Sequence, residues 1–222
     1  MYTTPFPLVS NYGQPSQPVY YGQPAYYGQP CYAYGNNPSG PAAGNFKAEL
    51  CKTIRMLWEQ HGTWTRLAIE SIVYSLPDAD AATNRLLRNP KDFEAVLKPF
   101  YGDQIAAKFS ELLTSHLVIA AQLVKAAKAG DTKAAAAAEK AWYANADEIA
   151  AFLASINPYW SQEVWQNMMH EHLAFVKGEA VDMLNKKYQQ SVDTYDNMEQ
   201  QILKMADYMT EGIYRQFANV YF

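Results

Sequence analysis

From Phe46 onward apolar residues recur every three or four positions, the spacing that gathers them on one face of an α-helix. That periodicity predicts a first helix over 47–76 with Ile54, Leu57, Trp64, Ala68 and Ile72 on its inner seam. It should stop at Leu76-Pro77-Asp78, because a residue before proline is pushed out of helical geometry. A polar connection follows. Asn89-Pro90 then reads as an N-cap and first-turn proline for a short helix that Pro99 ends, and Gly102-Asp103 restarts the chain. A second long helix is predicted over 104–128, with Leu113, Leu117, Ala120, Ala121 and Val124 inward and Gly130 at its end. A third, over 132–156, starts in the alanine run 134–138 and turns Trp142, Ile149 and Leu153 inward before Asn157-Pro158 breaks it. Ser161 caps a fourth helix to about Lys187, and a fifth over 189–217 repeats Met198, Ile202, Met205 and Met209. No alternating strand pattern occurs. Short connections make neighbours antiparallel, so the fold class is all-α: an up-and-down bundle of four to five long helices over 46–222.

Residues 1–45 follow different rules. Tyr12-Gly-Gln-Pro returns as Tyr21-Gly-Gln-Pro and Tyr27-Gly-Gln-Pro, with no Lys, Arg, Asp or Glu before Lys47. Pro and Gly at this density exclude ladders and helices, and too few aliphatic residues are present to offset the entropy of ordering. A disordered YGQP-repeat tail is expected, whose regularly spaced tyrosines suit self-association or tethering to a larger assembly.

Composition narrows the partners. Of 222 residues 49% are apolar, enough for one full core, while the net charge of −4 lacks the basic excess that a phosphate backbone requires. Nucleic acid is therefore not expected. No uncharged apolar run reaches a membrane span, and Met1-Tyr-Thr-Thr-Pro-Phe-Pro has no basic segment leading into an apolar one, so synthesis in the cytosol is expected. Cys31 and Cys51 make neither a disulfide framework nor a ligand pair of recognised spacing, and are expected to be unpaired.

Candidate chemistry lies in polar residues that interrupt the apolar seams. His61 falls between Leu57 and Trp64, His116 between Leu113 and Ala120, Asn145 between Trp142 and Ile149, and His172 between Met169 and Val176, each at helical spacing. All four are near the middle of their helices, and in an antiparallel bundle mid-helix seam residues share one level. His170 points away, to the solvent side. Three neutral imidazoles on three helices suit zinc, iron, manganese or copper, and an open position would acidify a bound water that Asn145 could orient. Glu179, two turns beyond His172, is a further candidate ligand or a carboxylate behind one. The same residues also fit a hydrogen-bonded layer that only fixes helix register, in a structural coat or surface protein. No glycine-rich phosphate loop, nucleophile elbow, CxxC or Glu-x-x-His is present, so an enzyme is the weaker expectation.

Leu86-Leu87-Arg88-Asn89-Pro90-Lys91-Asp92-Phe93, Trp142-Tyr143-Ala144-Asn145-Ala146-Asp147-Glu148-Ile149-Ala150 and His170-Glu171-His172-Leu173 resemble a family of small helical proteins from Gram-positive, largely spore-forming bacteria. The resemblance runs from about residue 55 to the C-terminus and confers no catalytic residues. Labels that its members carry, acetylglutamate kinase and glycosyltransferase, find no supporting motif here. The tail is similar in composition to Tyr/Gly/Gln/Pro-rich segments of spore coat proteins, which implies incorporation into a spore or surface layer.

Overall fold

The computed structural model describes the backbone of residues 40–221 and the side chains of 46–218. The YGQP repeats and Cys31 lie outside the described residues. Among the described residues six helices follow one another: α1 (Gly40–Tyr74), α2 (Ala79–Leu86), α3 (Asn89–Lys128), α4 (Thr132–Ile156), α5 (Gln162–Leu184) and α6 (Tyr188–Tyr221). Five are long and α2 has eight residues, so the all-α antiparallel bundle is what the chain forms.

α3 has two arms that meet at Gly102. At Gly102 the backbone takes φ 78°, ψ 172°, and the helix folds back on itself. Phe93 and Phe109 show this directly: their rings are 5.8 Å apart, whereas 16 residues of straight helix would separate them by about 24 Å. Pro99 therefore does not end the first arm, which runs on to the glycine. Positive φ is cheap only for a residue without Cβ.

The bundle consists of three helical hairpins. α1 is answered by α2 with the first arm of α3, the second arm of α3 by α4, and α5 by α6. Contacts at the two ends fix these directions. Phe46 meets Phe100, Tyr101 bonds Asn157 and Gln216, and Trp160 bonds the Tyr208 carbonyl at one end. At the other, Lys128 reaches the Ile72 carbonyl and Tyr74 meets Tyr188. α6 packs back on α1, through Lys47–Glu211 and Arg55–Asp207 ion pairs, and closes the ring.

Each ascending helix ends in the same left-handed turn. Ser75 (φ 56°), Gly130 (φ 72°) and Lys186 (φ 60°) occupy the turn position, and the next amide bonds a carbonyl five residues back: Leu76 to Ser71, Asp131 to Ala126, Lys187 to Asp182. This ends α1 and α5 sooner than their apolar patterns predict. α2 replaces the expected polar connection because Leu86 buries against Ala68 and Leu117, and Ala82 is buried with it on the same helix. Asn89 is a larger departure. It is the first residue of α3 rather than its cap, and its side chain is completely buried. Cys51, also buried, is half of a disulfide and not unpaired as its spacing suggested. Among the described residues no helix is long and apolar enough to cross a membrane.

The core runs the length of the bundle, from Ile54, Phe93, Phe109 and Leu153 through Trp165 to the α6 stripe of Met198, Ile202, Met205 and Met209, each no more than 1% exposed. The Trp160 indole lies directly on the α6 backbone at Gly212: a Cβ added to Gly212 would fall inside it. Gly212→Ala is therefore expected to lower unfolding free energy by about 1–3 kcal/mol, as overpacked cores do, measured by urea denaturation. Gly130→Ala, which meets nothing within 4 Å, should cost only its backbone strain of about 1 kcal/mol.

Candidate functional site

His61, His116 and His172 are each 2% exposed, one on the ascending helix of each hairpin. Behind each stands an amide side chain from the descending helix. His61 Nδ1 lies 3.2 Å from Asn89 Oδ1, while Asn89 Nδ2 donates to the Leu57 carbonyl at 3.0 Å. His116 Nδ1 lies 2.9 Å from Asn145 Oδ1, while Asn145 Nδ2 donates to the Leu112 carbonyl at 3.2 Å. In the third hairpin Gln201 Nε2 donates to the Met168 carbonyl at 2.8 Å. The Gln201 amide is near enough to His172 to act on its titration, but His172 Nδ1 and Gln201 Oε1 have no hydrogen-bonded partner.

In all three cases the carbonyl belongs to the residue four before the histidine. This settles the chemistry of two imidazoles. A carbonyl only accepts, so the asparagine nitrogen must face it and the asparagine oxygen must face the ring. An amide oxygen also only accepts, so Nδ1 carries the proton. A neutral imidazole then keeps its lone pair on Nε2. Burial does hold the rings neutral. It lowers the His61 pKa from 6.5 to about 4, with the Asn89 bond opposing, and that of His116 to about 3, helped by His61. His172 is pushed well below 6.5 by burial first and then by the other two rings.

The arrangement repeats along the chain. Histidines stand at 61, 116 and 172, turn residues at 75, 130 and 186, and amides at 89, 145 and 201. Phe93, Ile149 and Met205 follow their amides by four, and Leu97, Leu153 and Met209 by eight. The period is 55 or 56 residues throughout. Each hairpin is thus one copy of a unit that brings a histidine and an amide to the same level.

All three imidazoles line a cavity of about 370 Å³ that extends toward the turn end of the bundle. Its walls are Ala68, Ile69, Ile72, Leu86, Leu117, Val124, Val176 and Ala180, and its exposed rim includes Gln122, Lys125 and Lys177. The His61 and His172 rings are 5.5 Å apart, and His116 lies 5.3 Å from the Trp142 ring. Four buried polar atoms of cavity-lining residues have no hydrogen-bond partner: His116 Nε2, Trp142 Nε1, Thr65 Oγ1 and His172 Nδ1.

Of the five candidates from sequence, His61, His116 and His172 converge, and Asn145 stands behind His116 with its oxygen at the ring and its nitrogen on the Leu112 carbonyl. Glu179 is elsewhere. It is completely buried, ion-paired with Arg66, and set between α1, α5 and α6 beside Ser191. Burial raises its pKa to about 7 against the pull of Arg66. His170 lies on the half-exposed side, 2.7 Å from Asp147. Among the described residues, no three His, Cys, Asp or Glu side chains are grouped closely enough to hold a metal ion. Asn89 and Gln201 went unrecognised in the sequence. Gln201 interrupts an apolar stripe just as the histidines do, whereas Asn89 was hidden by Pro90, which made it look like a cap.

The neutral imidazoles link stability to pH. Folded-state values lie below the unfolded value of 6.5, so below that pH the unfolded chain takes up protons that the folded chain refuses. Stability is complete above about pH 6.5 and should fall by about 1.4 kcal/mol per pH unit for each histidine as pH drops toward 4. Urea midpoints at pH 7, 6 and 5 measure this slope, and His61→Gln should make it shallower. Asn145→Ala should cost about 2–4 kcal/mol at pH 7, since it strands the His116 N–H in the core.

A scan against family models, a search of curated proteins and a search of solved structures each find no match to this chain.

Proposed function

We propose that the imidazole layer binds a transition-metal ion through Nε2 of His61, His116 and His172, in a bundle that serves as a binding protein rather than an enzyme. The observation that carries this reading is the pair of asparagines that take up Nδ1 of His61 and His116 and leave their Nε2 as the free nitrogen. Metal-bound histidines are held in this way, with the second nitrogen donating to an oxygen that fixes tautomer and ring orientation. The 5.5 Å between the His61 and His172 rings suits two imidazoles that share one ion at Zn–N distances of about 2.0–2.1 Å. His116 would complete the set by bringing its unpartnered Nε2 to the same ion. Asn89, Asn145 and Gln201 are positioning residues. A fourth coordination position would open on the apolar cavity, where zinc, iron, manganese or copper could hold a small ligand.

The competing reading is a polar layer that fixes helix register in an assembly protein tethered by its tail. It is favoured by the way each histidine–amide pair ties the two helices of its own hairpin. It leaves the His116 Nε2 unexplained.

Elemental analysis of untagged protein purified without chelator distinguishes the two, supported by titration of the metal-free chain with Co²⁺. About one equivalent of metal is expected, lost in a His61→Ala/His116→Ala/His172→Ala variant that remains folded by circular dichroism. Asn145→Ala should weaken Co²⁺ binding by about 10–100-fold, as loss of an outer-shell partner does. Metal-free protein that develops no Co²⁺ visible bands would leave the register layer as the reading.

A further inference from the structure

We infer that the cavity beyond the imidazoles is a binding site for a neutral, largely apolar molecule carrying one hydroxyl group at its buried end, an aliphatic alcohol or a phenol. At about 370 Å³ it falls within the range of about 300–1,000 Å³ typical of small-molecule sites. Its walls come from five helices, so it is formed by the fold as a whole rather than by one loose seam.

The polar atoms at its base select the ligand. His116 Nε2 is an acceptor without a donor, and Trp142 Nε1–H is a donor without an acceptor, on rings 5.3 Å apart. A hydroxyl group satisfies both: its O–H donates to the imidazole, and its oxygen accepts from the indole. Thr65 Oγ1, also unpartnered, can serve either role. Leaving such atoms buried and unpaired is costly, which gives the hydroxyl a reason to enter an otherwise apolar space.

A carboxylate meets the opposite situation. The base holds three neutral rings and no cation, and the lysines that line the cavity, Lys125 and Lys177, are on the exposed rim. Lys177 is already paired with Glu139. A charged head group would have to leave water without a counter-charge, so the alcohol is preferred over the acid of equal chain length. The inference does not rest on a bound metal. In metal-free protein the hydroxyl donates to His116 Nε2, and in metal-loaded protein its oxygen would take the open position facing the same cavity.

The test is calorimetric titration of the full chain, as purified and after chelation, with decanol and with decanoate at pH 7.5, with metal content measured on the same samples. Decanol should bind at one equivalent and decanoate at least about tenfold more weakly. Ala121→Phe and Ala180→Leu, two independent ways to fill the cavity, should each weaken decanol binding at least about tenfold while metal content stays as in the parent. Trp142→Phe should weaken decanol about threefold to tenfold, the loss of one hydrogen bond. Absence of decanol binding by folded parent protein would overturn the inference, as would equal binding of decanoate, or undiminished binding by both cavity-filled variants. Decanol binding in protein that holds no metal would remove the metal reading alone. Metal retained without decanol binding would remove this one alone.

Discussion

Three amide side chains hold the centre of this bundle together, and the rest of the site depends on them. Each donates to a carbonyl in the turn before a histidine and so registers two helices, and Asn89 and Asn145 also turn their oxygens to the rings beside them and set the tautomers of His61 and His116. The carbonyl already accepts the helical hydrogen bond from the histidine's own N–H and uses its second lone pair for the amide. Nothing in the helix is broken to make the contact. The cost lies in desolvating the imidazoles, which is why all three are neutral and the layer is specified by hydrogen bonds rather than ion pairs.

Apolar packing alone would let neighbouring helices slide by a turn, since Leu, Met and Ile stripes fit one another in several registers. The polar layer removes that freedom, because a slipped helix would bury both an N–H and a carbonyl without partners. Glu179 and Arg66 work differently. Their pair is a charge interaction at the edge of the core, where Arg66 stays partly exposed and retains contact with Ser191 and the Tyr195 ring. The protein thus separates its buried polarity into a neutral centre and a charged flank.

Much of this was legible in the chain. The 3.6-residue period located all five long helices, and polar interruptions of that period identified the three histidines and Asn145, because a misfit on an apolar face shows in one dimension. The hairpin at Gly102 was half visible: the glycine was recognised as a restart, but a sharp reversal within a run of helical residues leaves no change of composition. Asn89 was misread because local chemistry, a following proline, offered a sufficient explanation for an asparagine whose true partner is 28 residues away. The 56-residue period was present in the letters yet weak, since most matched positions keep only apolar character: Phe93 answers Ile149 and Met205, and Gln201 answers two asparagines. Glu179 shares the face of His172 but stands about 10 Å further along α5, where Arg66 of α1 takes its carboxylate.

The repeat also bears on how the chain reaches this state. Each histidine–amide pair closes within its own hairpin, over about half of one repeat, so the three polar contacts belong to the class of local pairings that form quickly and at small loop-closure cost. The ring itself closes only when α6 meets α1, through Arg55 and Asp207, 152 positions apart. Assembly can therefore proceed unit by unit as the chain emerges, with the hairpins already in register. The internal hollow, whose walls are drawn from all three units, comes into existence at the last step.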